Sequence, residues 1–156
     1  MQRLSNHTKA VLFSENLLEQ QVMRRDNATV IMHLDYTLGR PRNDFGTPYG
    51  RMSGSKMLVT VRVGTRDNKE YYERLTMNES QTFTIVFNAT YDEWGMLANY
   101  ESATVVEGYI VGITENYDSD KAAEQSEQMT LEFSFLLTSI TYIGENDNNL
   151  TLNFVN

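Results

Sequence analysis

The sequence predicts a single, mostly antiparallel β domain with one helix. Three observations lead there. Hydrophobicity repeats every second residue along most of the chain, one short stretch carries helical capping and spacing, and the length of 156 residues is that of one ordinary domain. Hydrophobic residues make up 40% and charged residues 22%, a globular balance. A chain of this size buries about 68–70% of its unfolded surface, so it needs no staples to fold.

The strands come first. A short apolar run at 10–13 precedes Val30, Met32, Leu34 and Tyr36. Met57, Val59, Val61 and Val63 alternate with Leu58, Thr60 and Arg62, and Phe83, Ile85 and Phe87 with Thr82, Thr84 and Val86. The strongest alternation is Met129, Leu131, Phe133, Phe135 and Leu137, and Leu150, Leu152 and Phe154 repeat it near the end. Such alternation reads as half-buried strand. Phe133 and Phe135 are therefore expected in the core. Two stretches differ. Across 104–115, Val105, Tyr109, Val111 and Ile113 fall on one face and Val106 and Ile110 on the other; Leu136, Ile140 and Tyr142 also make the end of the 129–143 strand apolar on both faces. A strand apolar on both faces needs cover from a helix, a second sheet or a neighbouring subunit.

The helix follows Asp67, with Glu70 at capping-box spacing and Tyr71, Tyr72 and Leu75 on one side. Residues 14–25 read either as a second short helix or as an extended hairpin loop. Residues 92–99, with Trp94, Met96 and Leu97, read as a turn lying across a sheet. The segment 38–56 holds both prolines, Pro41 and Pro48, and the glycines Gly39, Gly46, Gly50 and Gly54. These break helices and central strands, and a loop of this length is often functional. Its charges are Arg40, Arg42, Arg51 and Lys56 against Asp44. A second loop, 118–128, is polar and acidic.

Charge narrows the function. The net charge of −8 disfavours nucleic acid as the partner, because phosphate contacts need a basic surface. Residues 1–74 carry 12 Lys+Arg against 8 acids, net +4; residues 75–156 carry Lys121 against 13 acids, net −12. That asymmetry reads either as chance serving solubility or as the polarity of a subunit that associates head to tail. No apolar run is long enough to span a bilayer, and the first residues lack the apolar stretch of a signal peptide. The expectation is a chain made in the cytoplasm.

Chemistry is not indicated. Cysteine is absent, which removes disulfides and cysteine-held metals. There is no nucleophile elbow, phosphate-binding glycine loop or H-E-x-x-H. His7 and His33 lack ligand-like neighbours, and Ser53, between Met52 and Gly54, reads as a turn residue. Glu145, Asp147 and Asn149, and likewise Glu115, Asp118 and Asp120, lack the glycine and terminal glutamate of a calcium loop. No cofactor, metal or catalytic residue is expected. The residues alone point to an assembly or binding module.

Three stretches resemble the Hcp (TssD) tube protein of type VI secretion systems, in the divergent form found in Bacteroidetes. The first is the strand ending at Tyr36, then Asp44-Phe-Gly46-Thr-Pro48, Arg51, Gly54 and the strand 57–63. The second is Val105 to Asp118, where an apolar strand runs into Glu-Asn-Tyr-Asp. The third is Met129-Thr-Leu, opening a long strand. The resemblance implies a single domain over 1–156: a partly open antiparallel β-barrel of two sheets, one flanking α-helix and a long extended loop. It further implies homo-hexameric rings stacked into a tube, with sheath, spike and effector proteins as partners and effectors carried in the lumen. Nucleic acid, membrane and cofactor are not implied, and neither is catalysis. The subunit would assemble in the cytoplasm and then leave through the injection apparatus. By the same resemblance, the loop bearing Arg40, Arg42, Asp44, Gly46, Pro48, Arg51 and Gly54 reaches the next ring; the charge of the C-terminal half makes Glu115, Asp118, Asp120, Glu124 and Glu127 the acidic candidates to receive it. A phage-type tail-tube protein and a monomeric β-barrel that binds a small ligand are the competing readings.

Overall fold

The structure, a computed structural model, describes residues 9–40, 42–47, 52–53, 55–63, 69–117 and 129–155. Ten strands are formed among them: β1 (Ala10–Phe13), β2 (Thr29–Asp35), β3 (Met52–Ser53), β4 (Ser55–Val63), β5 (Gln81–Phe87), β6 (Thr90–Tyr91), β7 (Leu97–Asn99), β8 (Ser102–Tyr117), β9 (Met129–Tyr142) and β10 (Leu150–Val155). One α-helix, α1 (Lys69–Leu75), lies between β4 and β5.

Six strands pair in the ring β9-β4-β2-β1-β5-β8, and the β8–β9 ladder shuts it. Every ladder in that ring is antiparallel. The expected barrel is therefore present, and its ring is closed. Closure removes the free edges that would otherwise invite aggregation. β10 pairs with the last part of β9, and β3 pairs parallel to β10. The remaining pair, β6–β7, forms a small second sheet.

Alternating residues fill the barrel. Met57, Val59, Val61, Leu131, Phe133, Phe135 and Leu137 are at most 1% exposed. Phe83 lies 5.9 Å from Phe133 and 5.6 Å edge-on from Phe135. Tyr71 of α1 stacks on Phe133 at 5.5 Å, and its hydroxyl donates to Thr29 Oγ1 at 3.1 Å, so the helix plugs the barrel with an aromatic ring whose polar end is satisfied. Burial raises the Tyr71 hydroxyl pKa, against the lowering effect of the Thr29 bond. Tyr72 packs against the core, whereas Leu75 is 39% exposed and leaves the expected apolar side. Asp67, the expected cap, lies outside the described residues. Glu70 Oε1 accepts from Ser14 Oγ and from Arg74 Nη2, each at 2.9 Å.

A second core covers the outer face of β1, β5 and β8. Phe13, Met23, Val86 and Ala103 are buried there, with Leu17, Tyr91, Leu97 and Ile143 packed on them. The cover comes from the 14–28 segment and the β6–β7 hairpin. The first is the extended alternative: a 3-10 turn at Leu17–Glu19, capped by Asn16, and another at Arg25–Asn27. The second corrects the expected turn at 92–99, which is a hairpin. Thr84 is fully buried on this face and is satisfied, donating to the Glu15 carbonyl at 2.7 Å and accepting from Leu17 N–H at 3.2 Å.

The two-faced strands have a double explanation. In part they are covered on both sides, as Val106 faces the barrel while Ala103 faces the outer core. In part the parity changes. The β8–β9 register skips Thr138 and Val111. Beyond Thr138, Ile140 and Tyr142 take the place of the odd-numbered set that ends at Leu137; beyond Val111, Ile113 rejoins Val106 and Ile110 against the core. Val111 itself is 52% exposed. An extra residue in one strand shifts every later side chain to the other face. Beside the first bulge, a Cβ on Gly108 would stand 2.0 Å from the Leu136 carbonyl oxygen, so only glycine fits.

Candidate assembly surfaces

The ladders fix which connections share an end of the barrel. Ser55 pairs with Leu137, Asp35 with Leu58 and Phe87 with Ser102, so the connections 36–54, 88–101 and 143–149 leave one end. Val63 and Tyr117 both pair with Met129, and Leu12 with Thr29, so the connections 14–28, 64–80 and 118–128 leave the other. The basic loop and the acidic loop therefore arise at opposite ends. Between β2 and β4, Arg40, Arg42 and Arg51 stand against a single acid, Asp44, although the three connections at that end together hold 6 acids against 3 bases; the three at the far end hold 11 acids against 6 bases.

The long loop is tied at its base. Ser55 Oγ donates to the Thr37 carbonyl at 2.6 Å, and the return arm is β3, where Met52 pairs with Phe154 of β10. Residues 43–47 form a compact turn. Asn43 Oδ1 accepts from both Phe45 N–H and Thr47 N–H at 2.9 Å, Gly46 N–H donates to the Asn43 carbonyl, and Asn43 N–H to the Thr47 carbonyl. Gly46 adopts φ +81°, which side chains resist. Arg40, Arg42 and Asp44 are exposed, and no ion pair among the described residues involves them. Pro48, Arg51 and Gly54 lie outside the described residues. On the acidic side Glu115 is exposed on β8, while Asp118, Asp120, Glu124 and Glu127 lie outside the described residues. The sequence reading passed over Phe45, which is 92% exposed in this turn. Aromatic residues default to the core, but the flanking Asn43 and Gly46 are turn residues that place the ring outside.

Among the described residues no group of three or more His, Asp or Glu could hold a metal. His33 is exposed on β2, and His7 lies outside the described residues. Asn149 Oδ1 accepts from Gly144 N–H at 2.9 Å and so closes the turn before β10. A cleft of about 380 Å³ opens between the start of β2 and α1, with Glu15, Asp26, Arg62 and Glu70 on its walls. Burial works to raise the Glu70 pKa, yet the hydrogen bonds from Arg74 and Ser14 and the Arg74 charge hold it below its ordinary value. Among the described residues no helix is long and apolar enough to cross a membrane.

No family model matches the chain, and no curated protein matches it. Solved structures do. An Hcp protein superposes with a TM-score of 0.63 at 11% identity, covering 94% of this chain and 99% of its own. Hcp1 from Flavobacterium johnsoniae gives 0.58 at 17% identity, covering 91% and 98%. The secreted protein Hcp3 from Pseudomonas aeruginosa gives 0.58 at 12% identity, covering 96% and 99%. At these identities the likeness is one of fold, and it runs nearly end to end on both sides. The closed barrel, its plugging helix and its long loop together are the Hcp-type fold that the sequence resembles.

Proposed function

We propose that this chain is a structural tube subunit of a type VI secretion, or contractile injection, system. Residues 1–156 act as one tube domain. Rings of six copies stack head to tail, and the stack, enclosed by a sheath and tipped by a spike, carries effectors in its lumen. The subunit assembles in the cytoplasm and leaves with the expelled tube. Its role is mechanical, not catalytic. The observation that supports this reading is an Hcp-type fold in which the strands joined by the basic 36–54 loop and those joined by the acidic stretch 118–128 end at opposite ends of one barrel. Heterologous contacts of that kind repeat along an axis, whereas rings close only when their rotation closes. A monomeric ligand-binding barrel fits less well, because the barrel interior is packed with Phe83, Phe133, Phe135, Met57 and Leu131.

The experiment is light scattering and sedimentation of the purified protein at low and high salt, beside the triple variant Arg40→Glu, Arg42→Glu and Arg51→Glu. Rings are expected from both proteins and stacked rings only from the unmodified one, with salt weakening the stacks. Each exposed pair contributes only about 0–1 kcal/mol, but a ring repeats it around the axis. Screening over about 8 Å at physiological ionic strength sets the salt sensitivity. Equal stacking by both proteins at low salt would exclude the loop, and loss of the ring in the variant would move the loop to the lateral contact.

A further inference from the structure

The strand β2 carries a bulge. Ile31 pairs with Val61 and His33 with Thr60, so Met32 has no partner on β4. Before the bulge Ile31 packs on the barrel core, and after it Leu34 and Tyr36 do. Met32, which alternation with Leu34 would bury, is turned out instead and is 48% exposed.

There its sulfur meets a cation. Arg62 Nη2 donates to Met32 Sδ at 3.3 Å. A thioether is a weak acceptor, whereas a guanidinium bonds best to a charged or strongly polar oxygen. Among the described residues Arg62 makes no ion pair, although Glu15, Asp26 and Glu70 line the same cleft. The bond to a neutral, exposed sulfur stabilises the reduced chain little. A sulfoxide oxygen at the same place would carry partial negative charge and accept a charge-assisted bond.

We propose that Met32 is a reversible oxidation site, with hydrogen peroxide as the oxidant and Arg62 as the residue that holds the sulfoxide. A lone pair on Sδ attacks one peroxide oxygen and the O–O bond breaks. The sulfur gives up two electrons and is oxidised; the peroxide is reduced. The second oxygen leaves as hydroxide and takes the proton of the transferred hydroxyl, giving water and the sulfoxide. The new oxygen lies beside Arg62 and ties the bulge of β2 to β4. Every group involved belongs to one chain, so the site is independent of tube assembly.

Met77 supplies the comparison, since it is 45% exposed and its side chain makes no hydrogen bond. Purified protein is treated with hydrogen peroxide, and each methionine is followed by peptide mass mapping. Met32 and Met77 should be modified about tenfold or more faster than the buried Met23 and Met57, because oxidation follows exposure. Met32 left reduced while Met77 is modified overturns the site. Amide exchange across β2 and β4 is then measured before and after oxidation in Met77→Leu protein, alone and combined with Arg62→Gln or with Met32→Leu. Oxidation should slow exchange at the bulge by about threefold or more in the Met77→Leu protein alone, the effect of one added charge-assisted bond. Methionine sulfoxide reductases should restore the original rate. No slowing, or equal slowing in either combined variant, overturns the proposal.

Discussion

The molecule builds one turn twice and uses it differently. At 92–96, Asp92 Oδ1 accepts from Trp94 N–H and Met96 N–H at 2.9 Å, Gly95 N–H donates to the Asp92 carbonyl, and Gly95 has φ +79°. At 43–47, Asn43, Phe45, Thr47 and Gly46 repeat every one of these bonds. Each turn raises an aromatic ring, and both arise at the same end of the barrel. Their surroundings differ. The 92–96 turn is bound to the 14–28 segment: Arg25 N–H donates to the Gly95 carbonyl and Leu97 N–H to the Met23 carbonyl, both at 2.8 Å, and the Arg25 guanidinium lies 5.9 Å over the Tyr91 ring. Leu97 and Tyr91 then pack on the outer core. At 43–47, the hydrogen bonds among the described residues stay inside the turn. Local sequence, an Asn or Asp followed by an aromatic and a glycine, writes the turn. Tertiary contacts decide whether the turn is tied to the cover of the core or stands apart from it; both rings, Trp94 at 73% and Phe45 at 92%, are exposed.

That contrast can be broken from several sides. The largest effect should come from the frame both turns stand on. Phe135→Ala empties a fully packed site between Phe83 and Phe133 and should cost about 3–5 kcal/mol, read as a fall in the thermal midpoint; an unchanged midpoint would remove Phe135 from the core. Next are the paired glycines. Alanine in the left-handed region costs about 1–2 kcal/mol. Gly95→Ala should show that cost in global unfolding, because its turn is tied to the outer core. Gly46→Ala should show it as local opening, with little change of midpoint and weaker stacking. Equal midpoint shifts would erase the distinction. The cap residues give a smaller contrast of the same kind. Asp92→Ala should lower stability by about 1 kcal/mol, and Asn43→Ala by much less.

The smallest effect is one of pH. Ser14 begins the segment that holds the 92–96 turn, and it donates to Glu70. The folded-state pKa of Glu70 is lowered from 4.5. Its contribution is therefore full above 4.5 and fades as pH falls through the lower folded value. Glu70→Gln should flatten the loss of stability on the acid side and change little at neutral pH, as unfolding curves taken across that range would report.

Much of the fold was legible. Alternation marked the strands, and the residues at alternating positions of 57–63 and 131–137 are buried, whereas Met32, at a bulge in β2, and Leu150 are exposed. What was not legible has specific causes. The bulges at Val111 and Thr138 change parity without a glycine or proline at the skipped residue, so the sequence shows only apolar residues on both faces. The β6–β7 hairpin has strands of two and three residues, too short for a period. The exposed charges of the long loop were legible from Arg40 and Arg42. The exposed ring of Phe45 was not, because it looks like core until the turn around it is recognised, and the repeat of that turn at 92–96 was the available signal. Which acids face the loop depends on a second copy, which one chain does not contain.

The central claim is that the two ends of this barrel recognise each other. Electron micrographs of the unmodified, untagged protein at low salt, with its mass in solution measured on the same sample, test it most directly. Rings of about six copies that stack along a common axis and separate at high salt are the expected result. A monomer that persists at every concentration and salt would contradict it.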